Sequence, residues 1–317
     1  MGFIGKRLAI TVLTLFLVSI FTFGAFRLIP GDAALISLGT EASEEQIAVL
    51  RSDLGLDKGL PEQYFSWLVN FLTGNLGNSA RFRGASVSGI IQSRLPVTFS
   101  LAFLSFLLII LIAVPVSVFS VKKENSLTDR IVTTLTALNI SMPGFFLGIL
   151  FIWIFGVLLK FFVPGAYVSY GENPAAFFGY LFFPALAIAM PNAALVVKFL
   201  RSSIFREFRS DYVRTARSKG GSHFRILRRH VLKNASLPAI TLLGMIAGEI
   251  LSGSIVIEQV FGIPGIGRLL IASINARDYP LIQTIIIYIA SAVIVANTLA
   301  DIVLQIVDPR IRLSEKV

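Results

Sequence analysis

Residues 95–121 read LPVTFSLAFLSFLLIILIAVPVSVFSV, twenty-seven positions without a charged side chain. A helix of about 20 mostly apolar residues crosses a hydrocarbon core about 30 Å thick, so this run is long enough to span a bilayer. It has company on both sides. Charge-free runs also occupy residues 8–26, 131–159 and 173–197, while 235–257 is interrupted only by Glu249 and 279–307 only by Asp301. Six transmembrane helices is the parsimonious count. The run 131–159 is long for one crossing and is expected to tilt or to end in a loop.

The whole chain shares this character. Of its 317 residues, 55% are hydrophobic and 15% charged, with a mean hydropathy of +0.79. Soluble domains carry about 25% charged residues, so too little polar surface exists here to cover a water-facing globule. A compact soluble enzyme and a disordered chain are both excluded. The reading is an all-α polytopic membrane protein forming a single transmembrane domain over 1–317. There is no cysteine, hence no disulfide and no thiolate chemistry. Lys6 and Arg7 precede the first run as they would in a signal peptide, but its 19 residues exceed the usual apolar region of about 7–15 and no small-x-small site follows. It is read as a retained helix.

Basic residues set the expected orientation. If both termini share one side, that side collects nineteen of the 28 Lys and Arg residues, eleven of them between Lys198 and Lys233. The other side holds nine basic and ten acidic residues. Both termini are therefore expected in the cytoplasm.

Three connecting segments are more than links. Residues 30–94 form an extracytoplasmic region with an acidic stretch, 41–53, and an amphipathic one, 61–72, carrying Tyr64, Phe65, Trp67, Leu68 and Phe71. It is expected to form a small cap on the membrane face. In the cytoplasmic segment 198–233, Ile204, Phe205, Phe208, Tyr212, Thr215 and Ala216 fall on one helical stripe. Gly220-Gly221 breaks that helix, and a second short helix follows with Phe224, Leu227 and Val231 on one face. Such a helix–turn–helix needs a partner for its stripes, and its place between two spans argues against nucleic acid. The third segment, 259–280, contains Gly262-Ile263-Pro264-Gly265-Ile266-Gly267. It follows no strand and lacks a Lys-Ser/Thr ending, so a re-entrant or surface-lying loop fits better than a phosphate cradle.

Little catalytic chemistry is visible. GxxxxGK[ST], HExxH and GxSxG are all absent, so no nucleotide is hydrolysed through a P-loop of this chain and no hydrolase constellation is formed. His223 and His230, seven apart on a helix, stand about 10 Å from one another, too far for one metal, and no metal site is expected. Polar groups inside spans are costly and need reasons. Asp301 is close enough to the cytoplasmic end to reach the interface. Glu249 is more central and must face protein or water. With Asn139 and Asn192 it makes the candidate pathway-lining set, interhelical hydrogen bonding being the alternative.

Residues 211–220 (DYVRTARSKG) followed by 232–238 (LKNASLP) resemble the EAA loop of binding-protein-dependent ABC importer permeases, and most of all the dipeptide/oligopeptide/nickel family. Arg214-Thr215-Ala216 stand at the EAA spacing before Gly220, with Ala216 alone keeping the pattern's residue, and Gly220 to Pro238 is longer than in sugar-type permeases. Both departures resemble the peptide/nickel branch. Leu54-Gly55-Leu56-Asp57, Gln63-Tyr64, Trp67 and 74–79 (GNLGNS) are similar to that branch's outer segment, with Asn75 where Asp is more familiar. Ser141-Met142-Pro143, 261–267, 277–280 and Asp308-Pro309-Arg310 match too.

The resemblance implies a type I ABC importer permease fold in a bacterial or archaeal inner membrane. It implies a pathway shared with a paralogous permease subunit, two separate ABC ATPase subunits beneath, and an extracytoplasmic solute-binding protein delivering cargo. Asp211, Tyr212, Arg214, Thr215, Ala216, Arg217, Lys219 and Gly220 would form the ATPase-coupling element. No cofactor would belong to this chain, ATP and Mg being bound by the ATPases. Cargo would be short peptides or relatives such as nickel chelates, opines or small oligosaccharides. The competing reading is a self-contained secondary transporter or channel using Glu249 or Asp301 as its coupling carboxylate, though no inverted repeat is detectable.

Overall fold

The computed structural model describes residues 3–28, 43–45, 48, 57–79, 81–82, 84–121 and 126–307. Most of the acidic stretch 41–53, the Leu54-Gly55-Leu56 motif and the tail from Asp308 lie outside the described residues. Within them the regular elements are helices: α1 (Phe3–Leu28), α2 (Leu60–Leu72), α3 (Val87–Ser120), α4 (Leu127–Ser141), α5 (Gly144–Phe151), α6 (Pro174–Phe208), α7 (Asp211–Ser218), α8 (His223–Ile226), α9 (Leu232–Phe261), α10 (Ile266–Asn275) and α11 (Tyr279–Val307). Local chemistry starts several of them. Ser86, Ser126 and Asn173 each accept a backbone N–H three residues ahead, capping α3, α4 and α6.

Among the described residues, α1, α3, α6, α11 and the continuous α8–α9 stretch are long and apolar enough to cross a membrane. The run 131–159 is not one tilted crossing. It breaks into α4 and α5 with a bend of 100°. Met142 is extended, with φ −95° and ψ 124°, as the residue before a proline prefers, and Pro143 caps the next helix. A π-helical stretch, Ile152–Leu158, ends this broken span.

The core is centred on α6, which packs against α3, α4, α5 and α9. Its Ala185, Ala187, Ala189, Ala193 and Ala194 are buried, because small side chains let neighbouring backbones approach where lipid offers no hydrophobic drive. Gly244 and Gly248, one turn apart on α9, meet α11 in the same way: a Cβ on Gly244 would lie 2.4 Å from the Ala300 Cβ. At one end of the bundle Arg7 of α1 pairs with Asp301 of α11, and Thr11 shares a 2.7 Å hydrogen bond with Thr298. Asp301 is thus neutralised, and the start of α1 and the end of α11 lie on one side. At the opposite end α2 lies on α1, its Tyr64 hydroxyl 2.7 Å from Ser19 Oγ and its ring edge-on to Phe23.

Candidate functional site

The segment between the crossings α6 and α9 is a tight helical hairpin. The stripe expected from Ile204 to Ala216 is not one helix, because α6 ends at Phe208 and α7 restarts after Ser210. The restart rotates the register. Val213, outside the expected stripe, is the fully buried anchor of α7, while Tyr212 is exposed. The Tyr212 hydroxyl donates to Glu207 Oε2 at 2.6 Å and accepts from Asn234 Nδ2 at 3.3 Å. Partial burial, reinforced by the hydrogen bond to the Glu207 carboxylate, raises its pKa.

The turn after α7 is closed by the backbone alone. The Gly220 N–H donates to the Arg217 carbonyl at 2.9 Å and the Gly221 N–H to the Ala216 carbonyl at 3.2 Å, the two bonds of a Schellman motif. Gly220 has φ +80°, a conformation that costs a residue with a Cβ about 1–2 kcal/mol. Across the turn, His223 stacks on Phe208 with centroids 4.6 Å apart, and the Arg217 guanidinium lies 5.7 Å from the Phe208 centroid. Ile226, Leu227 and Val231 are buried beneath. Phe224, expected to share their face, is 64% exposed instead.

The hairpin therefore has an apolar root and a polar outer surface. Asp211, Arg214, Thr215, Arg217 and Lys219 are exposed with Gly220, and Ala216 is half-buried. Asp211 opens α7 and Arg217 closes it, each at the end of the helix dipole that favours its charge. All eight expected residues fall on this one element.

The candidate pathway residues do not converge. Asn139 Nδ2 donates to the Leu135 carbonyl at 2.9 Å and Asn192 Nδ2 to the Ile188 carbonyl at 2.8 Å, each within its own helix. Glu249 faces outward from the chain, on a stripe of α9 with Thr241, Met245, Ser252, Val256 and Gln259, all exposed. Nothing joins it to Asn139 or Asn192 among the described hydrogen bonds and ion pairs. A carboxylate cannot rest against lipid tails at modest cost, so this stripe faces a protein surface or water.

On the opposite side two buried carboxylates, neither among the expected site residues although Asp278 lies in the matching stretch 277–280, build the outer corner. Glu258, fully buried at the end of α9, accepts from Thr98 Oγ1 at 2.6 Å and from the Arg268 N–H at 3.0 Å. Thr98 Oγ1 accepts in turn from the Ile266 N–H at 2.9 Å, so both side chains serve the start of α10. A Cβ on Gly265 would lie 2.3 Å from the Glu258 carboxylate, which is why a glycine stands there. Asp278, also fully buried, accepts from Ser79 Oγ and from the Arg81 N–H, the latter at 3.1 Å. Arg94 and Arg81 add bonds to the Pro264 and Ala272 carbonyls at 3.2 and 2.7 Å. The expected loop 259–280 is thus a folded corner around a ten-residue helix. A charge closing an apolar run beside a glycine-rich turn was the available signal for Glu258.

Comparison with known proteins agrees along the whole chain. Residues 113–313 match the family described as binding-protein-dependent transport system inner membrane component, and residues 1–102 match the N-terminal model of such membrane components. A probable peptide ABC transporter permease protein of Sinorhizobium fredii is 35% identical over 310 residues, covering 98% of this chain and 99% of the relative. A putative peptide transport system permease protein of Brucella abortus is 36% identical over 307 residues, covering 97% and 98%. The glutathione transport system permease protein of Pectobacterium atrosepticum is 36% identical over 307 residues and covers 97% of each chain.

Proposed function

The chain belongs to the family of binding-protein-dependent transport system inner membrane components, in its dipeptide/oligopeptide branch, and on that premise we propose how it works within an ABC importer. It pairs with a paralogous permease to form a translocation pathway for short peptides or chemically related cargo. The names of its relatives, which specify peptides and glutathione, favour that cargo class over nickel chelates. Both termini lie in the cytoplasm, and cargo arrives at the outer face from a solute-binding protein.

Force enters through α7. Two separate ATPase subunits, which bind ATP and Mg, receive the exposed surface carrying Asp211, Arg214, Thr215, Arg217 and Lys219. A rigid root transmits displacement better than a loose loop, and closure of the ATPases moves the hairpin as a body to switch access. The exposed Glu249 stripe lines the pathway or its seam with the second permease. The observation that carries this reading is the hairpin itself, with its polar surface outward, apolar anchors inward and a backbone-closed turn. Uptake of a labelled peptide by cells, set beside ATPase activity of the purified assembly, tests it. Arg214→Glu with Arg217→Glu is expected to abolish uptake at unchanged membrane level of the chain. Normal uptake that survives ATP depletion and follows the proton gradient would favour a secondary transporter using Glu249.

A further inference from the structure

Helix α2 buries one apolar face and leaves a second one uncovered. Three stripes run along it at helical spacing. Tyr64, Trp67 and Phe71 are buried or half-buried; Tyr64 and Trp67 meet Phe23 of α1, and Phe71 meets Tyr288 of α11 with ring centroids 5.9 Å apart. Glu62, Ser66 and Asn70 form an exposed polar stripe, with Lys58 paired to Glu62 at 2.9 Å where it starts. Pro61, Phe65, Leu68 and Leu72 make the third stripe, with Val69 at its margin. It is apolar throughout, yet Phe65 is 59% exposed and Leu72 74%.

The buried stripe fixes how deep α2 reaches. The α1 span ends at Arg27 and the α11 span starts at Tyr279, whose ring meets Phe26 at 5.8 Å, so these ends share one level. Ser19, bonded to the Tyr64 hydroxyl, lies eight residues inside that level and Tyr288 lies nine, a rise of about 12–14 Å. One leaflet of hydrocarbon is about 15 Å thick, so the aromatic side chains of α2 reach well into it. The roll of the helix follows from the same contacts. Tyr64, on the flank next to the third stripe, extends inward to Ser19 and Phe16. Trp67, on the flank next to the polar stripe, meets α1 at Phe23, four residues nearer the end of the span. The third stripe therefore turns toward the bilayer centre and the polar stripe toward water. The Tyr64 ring, 5.5 Å from Phe65 and 6.3 Å from Phe16, joins that stripe to the exposed Phe16, Leu17, Ile20 and Phe21 of α1.

An amphipathic helix of this kind lies in the interfacial plane with its apolar face below the headgroups. We propose that α2 is such an interfacial helix, and that Pro61, Phe65, Leu68 and Leu72 rest on acyl chains of the leaflet at its end of the bundle. The stripe carries no side chain that would need a hydrogen bond there, and it extends the apolar surface of a membrane-crossing helix. A soluble partner approaching from water meets the polar stripe instead. The segment expected to cap the membrane face is anchored within it at this point.

Because the chain has no cysteine, single thiols can report each stripe separately. Phe65→Cys, Leu72→Cys, Ser66→Cys and Asn70→Cys are labelled with bimane in the whole assembly, its other subunits also freed of cysteine. The assembly is reconstituted into phosphatidylcholine vesicles in which part of the lipid carries a nitroxide on its acyl chain. Phe21→Cys on α1, 74% exposed, supplies the lipid-facing reference. At Phe65 and Leu72 the lipid nitroxide is expected to quench as it does at Phe21, and aqueous iodide only weakly. At Ser66 and Asn70 the order of the two quenchers should reverse. Iodide quenching at Phe65 and Leu72 as strong as at Ser66 would put the stripe in water and overturn the proposal. Quenching by neither agent would overturn it in favour of a protein cover, the second permease or another segment of this chain. Loss of lipid quenching at Phe65 when a solute-binding protein is added would overturn it in favour of a docking surface for that protein. None of these outcomes bears on coupling through α7, which peptide uptake reads separately.

Discussion

The two ends of the continuous α8–α9 stretch, His223–Phe261, carry two glycine turns that solve the same problem in opposite ways. At the hairpin end, Gly220 and Gly221 close the turn with backbone hydrogen bonds alone, and the charged side chains around it point outward. At the outer end, the turn before α10 is closed by a buried carboxylate, Glu258, and locked to α3 through Thr98, while past the end of α10 Asp278 binds Ser79. A charge turned inward and held by hydrogen bonds to distant segments is structural. A charge turned outward from a rigid support is available to something else. By that criterion the outer corner is a fixed scaffold, and the hairpin is the surface on which a partner acts.

Substitutions should separate the two turns by what they damage. Glu258→Ala is expected to have the largest effect, about 3–5 kcal/mol of stability, because a hydroxyl and backbone N–H groups lose a charged acceptor in a dry site; thermal unfolding of the purified chain in detergent reads it. Asp278→Ala should cost about 2–3 kcal/mol in the same assay, since Ser79 Oγ and the Arg81 N–H keep no equivalent partner. Gly220→Ala should cost only about 1–2 kcal/mol from its positive φ, while lowering peptide uptake by more than that loss of stability explains. Smallest in stability is Arg214→Glu with Arg217→Glu, expected to cost about 1 kcal/mol because Arg217 leaves the helix C-terminus and the Phe208 ring, although uptake is abolished. An unfolding loss for the Arg pair as large as that for Glu258→Ala would erase the distinction between the turns.

How much of this was visible in the sequence follows from range. The crossings were legible because each is a continuous apolar run, and the hairpin because Gly220-Gly221 interrupts a helical pattern locally. Register inside the hairpin was not, since the restart at Ser210 rotates α7 and hands the anchor position from Tyr212 to Val213. The kink in 131–159 was readable only as excess length, although Pro143 marks its place. The outer corner was hidden for a different reason. Glu258 meets Thr98 across 160 positions and Asp278 meets Ser79 across 199, and no local pattern announces a bond formed by the packing of whole helices. Glu249 shows the limit from the other side: its cost in a bilayer was plain from sequence, but its outward aim is a property of the fold.

The absence of cysteine in the native chain makes the most direct measurement simple. Thr215→Cys places a single thiol on the outer face of α7, and a bifunctional reagent applied to the intact assembly in membranes reports what lies against it. If α7 docks on an ATPase, a cross-link forms to a subunit bearing nucleotide-binding motifs, with a yield that changes when ATP is trapped, and none forms from Lys160→Cys at the far end of the broken span. A chain that inserts normally and reacts with small thiol reagents at Thr215→Cys, yet captures no ATPase, would contradict the account.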